Sequence, residues 1–447
     1  MKNIKIVFWG LFALLTLLWL LVDTPFPQPF GYFPLRAVVV QYSGILGISC
    51  MSVAMILALR PRWLEARLNG LDKMYRLHKW LGIGGLTVSI LHWWWAKGTK
   101  WMVGWGWLER PVRGPRPVID NPVEAWLGSL RGLAENLGEW TFYAAVVLIA
   151  LALIHRFPYR LFYKTHRLLA VAYLVLVFHS VVLMTFSYWS SPIGWLMAVL
   201  LAYGTAAAVT VLLRRVGVKR QVEGKIIALT YYEDLRVLET MLDVPHGWPG
   251  HHAGQFAFAT SNESEGAHPY TIASAWNAAE HHITFITKEL GDHTRTLHER
   301  LKIGQSVKIE GPYGCFTFDD AHPIQIWIGG GIGITPFIAR MKQLALHTDE
   351  GNRQEIYFFH TTADYDEAAI TKLKADAEAA KVHLQVLVGS RDGRLSGERI
   401  RATVPAWRKA SIWFCGPAGF GQALRADFAV RGLAVAERFH QELFAMR

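Results

Sequence analysis

The first half of the chain consists of long apolar segments separated by shorter charged ones. Six of the apolar segments contain no Asp, Glu, Lys or Arg, and a helix that crosses a membrane needs about 20 residues of this kind. They are Ile6–Val22, Ala37–Leu59, Trp80–Ala96, Trp140–Ile154, Leu168–Phe186 and Ile193–Leu213. The fourth is the shortest, and no comparable segment follows Leu213. The pattern predicts a bundle of six transmembrane helices.

The second half of the chain has shorter elements. From Gln221, short alternating segments separated by Gly and Pro predict a small antiparallel β-barrel; they are Lys225–Leu229, Gln255–Ala259, His282–Thr287 and Gln305–Glu310. From Ile324, apolar strands alternate with helices near 335–347, 366–380 and 417–431, which predicts an α/β nucleotide-binding sheet. Its strands are Ile324–Ile328, Glu355–Phe359, His383–Val388 and Ser411–Cys415. The predicted domains are therefore residues 1–220, 221–320 and 321–447.

The charged loops predict the orientation of the bundle. Lys and Arg are frequent in residues 60–79, 155–167 and 214–220, whereas residues 187–192 carry no charge. Because basic loops stay in the cytoplasm, we expect a multi-pass protein of the cell (inner) membrane with both termini cytoplasmic. The first segment follows Lys2 and Lys5 and could be a secretory signal, but its length and the lack of an A-x-A site favour an uncleaved helix.

Composition narrows the class of protein. Of the 447 residues, 52% are hydrophobic and only 18% are charged, which excludes a disordered or fibrous chain. The net charge of +11 arises beside apolar segments rather than in a basic run interleaved with aromatic residues, so the lipid membrane and not nucleic acid is the expected partner. Cys50, Cys315 and Cys415 are too scattered for a disulfide framework, which fits soluble parts in a reducing compartment.

Four histidines stand at matched spacings in two predicted membrane helices. The third helix begins near His78 and carries His92, 14 residues on, and the fifth begins near His166 and carries His179, 13 residues on. Both helices run outward, so the histidines pair by depth at two levels about 20 Å apart. Two facing imidazoles at each level can bind a haem iron. Thirteen residues miss a full turn by about 140°, so the fifth helix must tilt, kink or wind unevenly. The alternative is that each histidine is interfacial or structural.

A glycine-rich loop directly follows the first strand of the predicted nucleotide-binding sheet. It runs Gly329-Gly330-Gly331-Ile332-Gly333-Ile334-Thr335-Pro336. Glycines let backbone N–H groups approach a pyrophosphate, and Pro336 suits the first turn of a helix whose free N–H groups favour an anion. The loop therefore predicts a dinucleotide site, with an ordinary tight turn as the alternative.

Two further segments carry polar groups that suit a flat ring and a diphosphate. The segment from His268 to Ser274 reads as a strand that presents an aromatic ring and a hydroxyl group, although an ordinary strand has the same pattern. Lys288, with Gly291 and Thr294, offers a cation and donors at a helix start. These residues are candidates for a second nucleotide-like cofactor.

Taken together, the motifs resemble the ferric reductase and NADPH oxidase superfamily. The resemblance rests on the two histidine pairs, the His268-Pro269-Tyr270-Thr271 motif, the Gly329–Pro336 loop and the Phe414-Cys415-Gly416-Pro417 motif. It implies a multi-domain membrane protein in which a six-helix bundle holds two haem b groups. It further implies that a ferredoxin-reductase-like module, made of an FAD-binding barrel and an α/β domain that binds NAD(P)H, follows the bundle.

The resemblance also implies roles for individual residues. His78 and His166 would bind the inner haem, and His92 and His179 the outer one. The flavin would be held by His268, Pro269, Tyr270 and Thr271, with Lys288, Gly291 and Thr294 near its phosphates. The coenzyme's pyrophosphate would be held by Gly330, Gly331, Gly333 and Thr335. Cys415 and Gly416 would lie near the nicotinamide, and Phe444 would shield the flavin, although family members often end at that aromatic residue and Ala445–Arg447 follow it here.

Two further comparisons with the family bear on the coenzyme and the acceptor. Arg391 and Arg394 follow the third strand of the nucleotide-binding sheet and favour NADPH over NADH. Oxygen-reducing members of the family carry an additional outer histidine one turn past the second ligand of the third helix, where this chain has Ala96, although Arg36 stands where those oxidases have an arginine. We therefore expect a ferric or other metal chelate as the acceptor ahead of oxygen.

The expected function is electron transfer from cytosolic NAD(P)H through FAD and two haems to an acceptor on the opposite side of the membrane. Two other classes remain open. One is a haem-free membrane transporter or anchor with a nucleotide-sensing cytosolic domain. The other is a haem anchor that feeds a periplasmic or extracellular partner protein, and a homo-oligomer is compatible with each of them.

Overall fold

The computed structural model describes residues 2–109, 119–154, 156–245, 247–346 and 354–442. The chain forms two compact units. One contains the helices up to Val216, apart from Asn69–Asp72, and the other begins at Gly217. Phe444, the residue expected to shield the flavin, lies outside the described residues.

The first unit is helical. Its described helices are α1 (Lys2–Leu20), α2 (Tyr32–Ala58), α3 (Arg62–Leu68), α4 (Leu71–Trp93), α5 (Thr99–Gly104), α6 (Pro122–Ser129), α7 (Arg131–Leu153), α8 (Tyr159–Leu183) and α9 (Pro192–Leu212). A π-helical turn, Trp94–Gly98, extends α4, and a 3₁₀ turn, Phe186–Ser190, precedes α9. Each of the six predicted segments overlaps a long helix.

Five of the described helices are long and apolar enough to cross a membrane. They lie in Asn3–Leu20, Tyr32–Ala58, Arg131–Leu153, Leu161–Leu183 and Pro192–Leu212. The helix α4 is also long, but its first turns carry Asp72, Lys73, Arg76 and Lys79 and lower its hydropathy. The chain is thus a membrane protein with five clear candidate spans, and a sixth span through α4 stays a prediction.

The predicted starts of three helices are wrong. Helices α4 and α8 begin at Leu71 and Tyr159, two turns before His78 and His166, and α7 begins at Arg131 rather than Trp140. The fourth predicted segment begins directly after the charged residue Glu139. In the structure Glu139 forms an ion pair with Lys97 and accepts a hydrogen bond from Tyr143 at 2.9 Å. A paired carboxylate of this kind can lie inside a membrane helix.

Small and polar side chains let the membrane helices approach closely. The buried Tyr173 of α8 shares a hydrogen bond of 2.8 Å with Ser52 of α2. A Cβ atom on Gly204 of α9 would lie 2.0 Å from the Tyr173 hydroxyl oxygen, so only glycine fits there. Small residues and interhelical hydrogen bonds are the usual means of packing helices in lipid. Tyr173 therefore joins α2, α8 and α9.

The second unit begins with a six-stranded antiparallel sheet in the order β4-β3-β6-β1-β2-β5. Its strands are β1 (Gln221–Tyr232), β2 (Val237–Asp243), β3 (Phe256–Thr260), β4 (His268–Thr271), β5 (His282–Lys288) and β6 (Ser306–Tyr313). An isolated bridge between Ile272 and Phe285 connects the two edges of this sheet. Its inward side chains, among them Ile226, Ile283 and Ile309, form one apolar core. The short helices α10 (Asp292–Arg295) and α11 (Leu297–Arg300) follow β5.

A five-stranded parallel sheet follows, in the order β11-β10-β7-β8-β9. Its strands are β7 (Ile324–Gly330), β8 (Glu355–Thr362), β9 (His383–Val388), β10 (Ala410–Cys415) and β11 (Phe439–Gln441). Its helices are α12 (Thr335–Leu346), α13 (Glu367–Ala379), α14 (Gly389–Asp392), α15 (Gly397–Thr403), α16 (Ala418–Val430) and α17 (Val435–Arg438). The strand order reverses between β7 and β10. Ligands of such sheets bind outside the carboxyl ends of the strands at this reversal.

Candidate functional site

The inner histidine pair, His78 and His166, joins α4 to α8. The two ring centroids are 5.8 Å apart. The Nδ1–H group of His78 donates a hydrogen bond to the carbonyl oxygen of Ala54 at 2.9 Å. The ring of Phe162 stacks on His166 at 5.0 Å. The imidazole of His78 is thus fixed by α2, and that of His166 by the preceding turn of its own helix.

The outer histidine pair, His92 and His179, joins the same two helices at the other level. Its ring centroids are 6.3 Å apart. His92 donates through Nδ1 to the carbonyl of Val40 at 3.0 Å, with the hydroxyl oxygen of Ser43 at 3.2 Å. His179 donates through Nδ1 to the carbonyl of Ala134 at 2.8 Å. Both rings of the outer pair are therefore oriented by neighbouring helices.

The two pairs fit the axial ligands of a haem iron. With a metal–nitrogen bond of about 2 Å on each side, two imidazoles that share one metal ion have centroids about 6 Å apart. A carbonyl oxygen can only accept a hydrogen bond, so the rings of His78, His92 and His179 carry their proton on Nδ1. Their Nε2 atoms then each have a lone pair that can bind a metal ion. Metal-binding histidines usually make this second hydrogen bond, which fixes their tautomer and raises their basicity.

Helix α8 presents both of its histidines to α4 although 13 residues separate them. The helix is continuous from Tyr159 to Leu183, so no break in it turns the second ring. Instead, each ring is set by a different contact: Phe162 lies against His166, and α7 accepts the hydrogen bond of His179. The two rings are therefore held by different neighbours, one on α8 itself and one on α7.

The predicted flavin motif forms β4 and belongs to a hydrogen-bonded cluster. The hydroxyl of Tyr270 lies 2.8 Å from Nε2 of His293, whose Nδ1 lies 2.5 Å from Glu265. The ring of His268 stacks on His293 at 3.6 Å. Burial, and then the neighbouring His293, lower the pKa of His268 to about 4. The ring of His268 is therefore neutral at pH 7 and cannot attract a phosphate by charge.

The same cluster has the donor types of a metal site. One donor atom each of Glu265, His268 and His293 lies within 4.8 Å of the others. However, Arg300 donates to Glu265 at 2.7 Å, so this carboxylate already has a positive partner. The sequence motif contained His268 and Tyr270, but it gave no sign that Glu265, in the loop before β4, and Arg300, at the end of α11, would join them.

The residues expected near the flavin phosphates are engaged with the protein. Lys288 forms an ion pair of 2.7 Å with Asp364, which follows β8. The hydroxyl oxygen of Thr294 accepts hydrogen bonds from the amides of Leu290 and Gly291. A Cβ on Gly291 would meet open space. This loop therefore has room for a ligand at Gly291, and the charge of Lys288 is balanced by Asp364.

The glycine loop lies against the end of β10. A Cβ on Gly333 would lie 2.3 Å from the carbonyl oxygen of Cys415, and one on Gly330 would lie 2.9 Å from Pro417. Gly331 has φ of +57° and open space beside it. The structure thus brings together the predicted residues Gly330, Gly331, Gly333, Cys415 and Gly416. A side chain at Gly330 or Gly333 would clash with the segment after β10, whereas the space beside Gly331 is open to a ligand.

Three other residues near this sheet have clear local roles. The hydroxyl of Thr335 donates to the carbonyl of Ile332 at 2.8 Å, within the loop itself. His360, at the end of β8, is buried and donates through Nδ1 to Gly329 at 3.2 Å; burial lowers its pKa to about 4. Cys415 is fully buried, and burial raises its pKa well above the usual range. Its side chain is therefore a neutral thiol and not a thiolate nucleophile.

Arg391, the residue expected to favour NADPH, lies at the far edge of the parallel sheet. It forms an ion pair of 3.0 Å with Asp392, and its guanidinium lies 5.9 Å from the centre of the Tyr365 ring. A cavity of about 170 Å³ opens there, lined by Tyr365, Ile370, Lys374, Leu384, Val386 and Arg391. Two cationic side chains thus share one cavity, but the charge of Arg391 is partly balanced.

Residues 43–177 match the family described as ferric reductase like transmembrane component. The chain contains a ferric reductase-like transmembrane domain. The matched range includes His78, His92 and His166 and ends two residues before His179. The resemblance inferred from the sequence is therefore confirmed for the membrane half.

Curated relatives of this chain include flavohemoproteins and reductases. It is 25% identical over 166 residues to a flavohemoprotein of Oceanobacillus iheyensis (35% of this chain, 40% of that protein). It is 30% identical over 148 residues to an NADPH oxidoreductase of Mycobacterium tuberculosis (33% and 38%). It is 30% identical over 155 residues to the carnitine monooxygenase reductase subunit of Escherichia coli (34% and 45%). Each alignment spans less than half of the relative.

Solved structures give a weaker likeness. A flavohemoglobin from Malassezia yamatoensis with bound FAD and heme is 18% identical, with 92% of this chain and 98% of that chain covered and a TM-score of 0.46. The flavohem-like FAD/NAD binding domain of nitric oxide dioxygenase from Vibrio cholerae is 20% identical, with 50% and 98% covered and a TM-score of 0.42. TM-scores below 0.5 do not establish a common fold.

Sequence reasoning missed the glycines that adjoin the outer histidine pair of the ferric reductase-like domain. A Cβ on Gly138 of α7 would lie 2.0 Å from Nδ1 of His179, and one on Gly44 of α2 would lie 3.4 Å from Cε1 of His92. Both glycines stand four residues after the carbonyl that accepts the histidine's hydrogen bond. That spacing was visible in the sequence, but its meaning depended on knowing which helix faces each histidine.

Proposed function

We propose that the protein is a transmembrane oxidoreductase that passes electrons from cytosolic NAD(P)H through FAD and two haem b groups to an acceptor across the membrane. The observation that carries this proposal is the presence of two imidazole pairs on α4 and α8, with centroids 5.8 and 6.3 Å apart. The match of residues 43–177 supports it, as do relatives named NADPH oxidoreductase and flavohemoprotein.

The bundle's part in this function is to hold two metal-binding sites in an apolar medium. His78 with His166, and His92 with His179, would hold the two haem groups through their imidazole nitrogens. Carbonyls of α2 and α7 keep three of these rings in the tautomer that leaves Nε2 free. When bound, FAD and haem supply the conversion of a two-electron donor into single-electron transfers.

The second unit binds the flavin and the coenzyme. Tyr270, held by His293, presents a ring and a hydroxyl at β4, with His268, Pro269 and Thr271 beside it. Gly331 offers backbone N–H groups at the strand reversal where coenzymes bind. We assign the nicotinamide's place to the end of β10, where the buried Cys415 is neutral and does not compete as a nucleophile. Phe444 is proposed to shield the flavin.

The proposal extends to the coenzyme, the acceptor and the topology. Lys374 and Arg391 provide two cations at one cavity, which favours the additional phosphate of NADPH. We place a ferric chelate first among acceptors, because Ala96 stands where oxygen-reducing relatives have a histidine. The proposed arrangement has six spans, including α4, and both termini in the cytoplasm.

Anaerobic titration of the purified, FAD-loaded protein with NADPH tests this function. We expect two low-spin haems per polypeptide to become reduced, and ferric chelate to reoxidise them. Loss of a low-spin haem in His92→Ala and in His179→Ala would support the ligand assignment. A protein without Soret absorbance would instead be a transporter or anchor. Haem reduction without turnover on ferric chelate or oxygen would indicate a partner protein as acceptor.

A further inference from the structure

We infer that Gly138 is a positioning residue for His179: by lacking a side chain it exposes the carbonyl of Ala134 that orients this imidazole. The inference rests on the proposed function, because it concerns how His179 is held as a haem ligand. According to this inference, α7 provides none of the four histidines but orients one of them, His179 of the outer pair.

The geometry follows from how side chains lie on a helix. Each Cα–Cβ bond tilts toward the helix N-terminus, so a side chain covers the turn before its own position. A side chain at position 138 would cover the carbonyl of Ala134, one turn earlier. Nδ1 of His179 occupies this place and donates to that carbonyl at 2.8 Å. A Cβ on Gly138 would lie 2.0 Å from Nδ1 and 2.5 Å from Cε1.

The same arrangement recurs at the other two oriented histidines. His92 donates to Val40, four residues before Gly44, and His78 donates to Ala54, four residues before Ala58. In each case the residue four positions after the acceptor is small. The spacing is tightest at Gly138, since a Cβ on Gly44 would make an ordinary contact of 3.4 Å with His92.

A methyl group at position 138 must displace the ring of His179. The helix backbone is fixed by its own hydrogen bonds, so the imidazole is the part that can move. A displaced ring loses its hydrogen bond to Ala134 and leaves its place 6.3 Å from the ring of His92. Ligand geometry tolerates errors of only about 0.5 Å, so the outer pair would lose one of its two nitrogen ligands.

The test compares full-length, haem-loaded Gly138→Ala with two matched variants. Gly132→Ala lies on the same helix and Gly10→Ala lies on α1, and at both positions a Cβ meets nothing within 4 Å. The readouts are haem per polypeptide and low-spin signals in optical and electron paramagnetic resonance spectra. We expect Gly138→Ala to lose one low-spin haem, as His179→Ala does, and the two matched variants to keep both.

A double-mutant cycle keeps the inference testable if Gly138→Ala folds poorly. Residues in contact give non-additive effects. We expect Gly138→Ala to lower the thermal midpoint of the wild-type chain but to have little effect in the His179→Ala background, where the ring is gone. Equal effects in both backgrounds, or two unchanged low-spin haems in Gly138→Ala, would overturn the inference. A wild-type protein without haem would refute the proposed function instead.

Discussion

Replacement of Gly333 by alanine should destabilise the second unit strongly. The new Cβ would lie 2.3 Å from the carbonyl oxygen of Cys415 and 2.9 Å from the amide nitrogen of Gly416. Non-bonded atoms prefer separations of about 3.5 Å, so the loop and the end of β10 must separate by about 1 Å. Both sides of this contact are backbone, and neither can change rotamer.

Overpacking costs about 1–3 kcal/mol, and a contact between two backbone segments belongs at the upper end of that range. For a unit that begins at Gly217, each kcal/mol lowers the thermal midpoint by about 2–4 °C. We therefore expect Gly333→Ala to lower the melting temperature of this unit by about 6–12 °C. The KM for NADPH in flavin reduction should rise, because Gly331 and the rest of the loop move with Gly333.

The assay is thermal unfolding followed by flavin fluorescence, with haem content as an internal reference for the membrane unit. Gly419→Ala is the matched control, because a Cβ there meets nothing within 4 Å on an established helix. It should be neutral or slightly stabilising. A Gly333→Ala protein that melts within about 1 °C of the wild type would refute the close contact on which the reasoning depends.

Three further predictions concern the second unit. The folded pKa of His360 is about 4 and its ordinary value 6.5, so its contribution to stability is present above pH 6.5 and is lost as the pH falls toward 4. Between pH 7 and 5, the free energy of unfolding measured with a chemical denaturant should fall by about 2 kcal/mol more in the wild type than in His360→Gln. An equal fall in both proteins would disprove the burial of a neutral ring. Cys315 is exposed, whereas Cys415 is buried and has a raised pKa. Iodoacetamide at pH 7.5 should therefore label Cys315 before Cys415 in the folded protein, as measured by mass spectrometry of peptides. Equal labelling of the two thiols would contradict this prediction. Asp364→Asn removes the partner of Lys288 and should change stability by no more than about 1 kcal/mol, while FAD affinity at low ionic strength rises. An unchanged Kd for FAD would show that the lysine is too far from the flavin phosphates to bind them.

Much of the fold could be read from periodicity. The parallel strands β7 to β10 agree with their predicted ranges within a few residues, because buried parallel strands are continuous apolar runs with turn residues between them. The starts of the helices were harder to predict. The fourth predicted segment starts after Glu139, and only the ion pair of this residue with Lys97 and its hydrogen bond from Tyr143 explain how the helix extends through it to Arg131.

The candidate site, too, could be predicted only in part from the sequence. The glycines of the 329–336 loop were recognisable as a motif, but the reason for Gly333 is its distance from Cys415, 82 residues away in the chain. Only part of the cluster around Tyr270 could be predicted, because Glu265 lies in the loop before β4, Arg300 ends α11, and neither belongs to a sequence motif. The predicted donor of charge, Lys288, has Asp364 as its partner.

The sequence by itself determined the membrane segments, the identity of the four histidines and their pairing by depth, since these depend on hydropathy and on the rise of a helix per residue. Only the tertiary structure decided how each ring is oriented. Helical periodicity leaves His166 and His179 pointing in different directions. Phe162, four residues earlier on the same helix, stacks on His166, and the carbonyl of Ala134 on α7 accepts the hydrogen bond of His179. The second contact joins residues that are distant in sequence, and no local pattern encodes it.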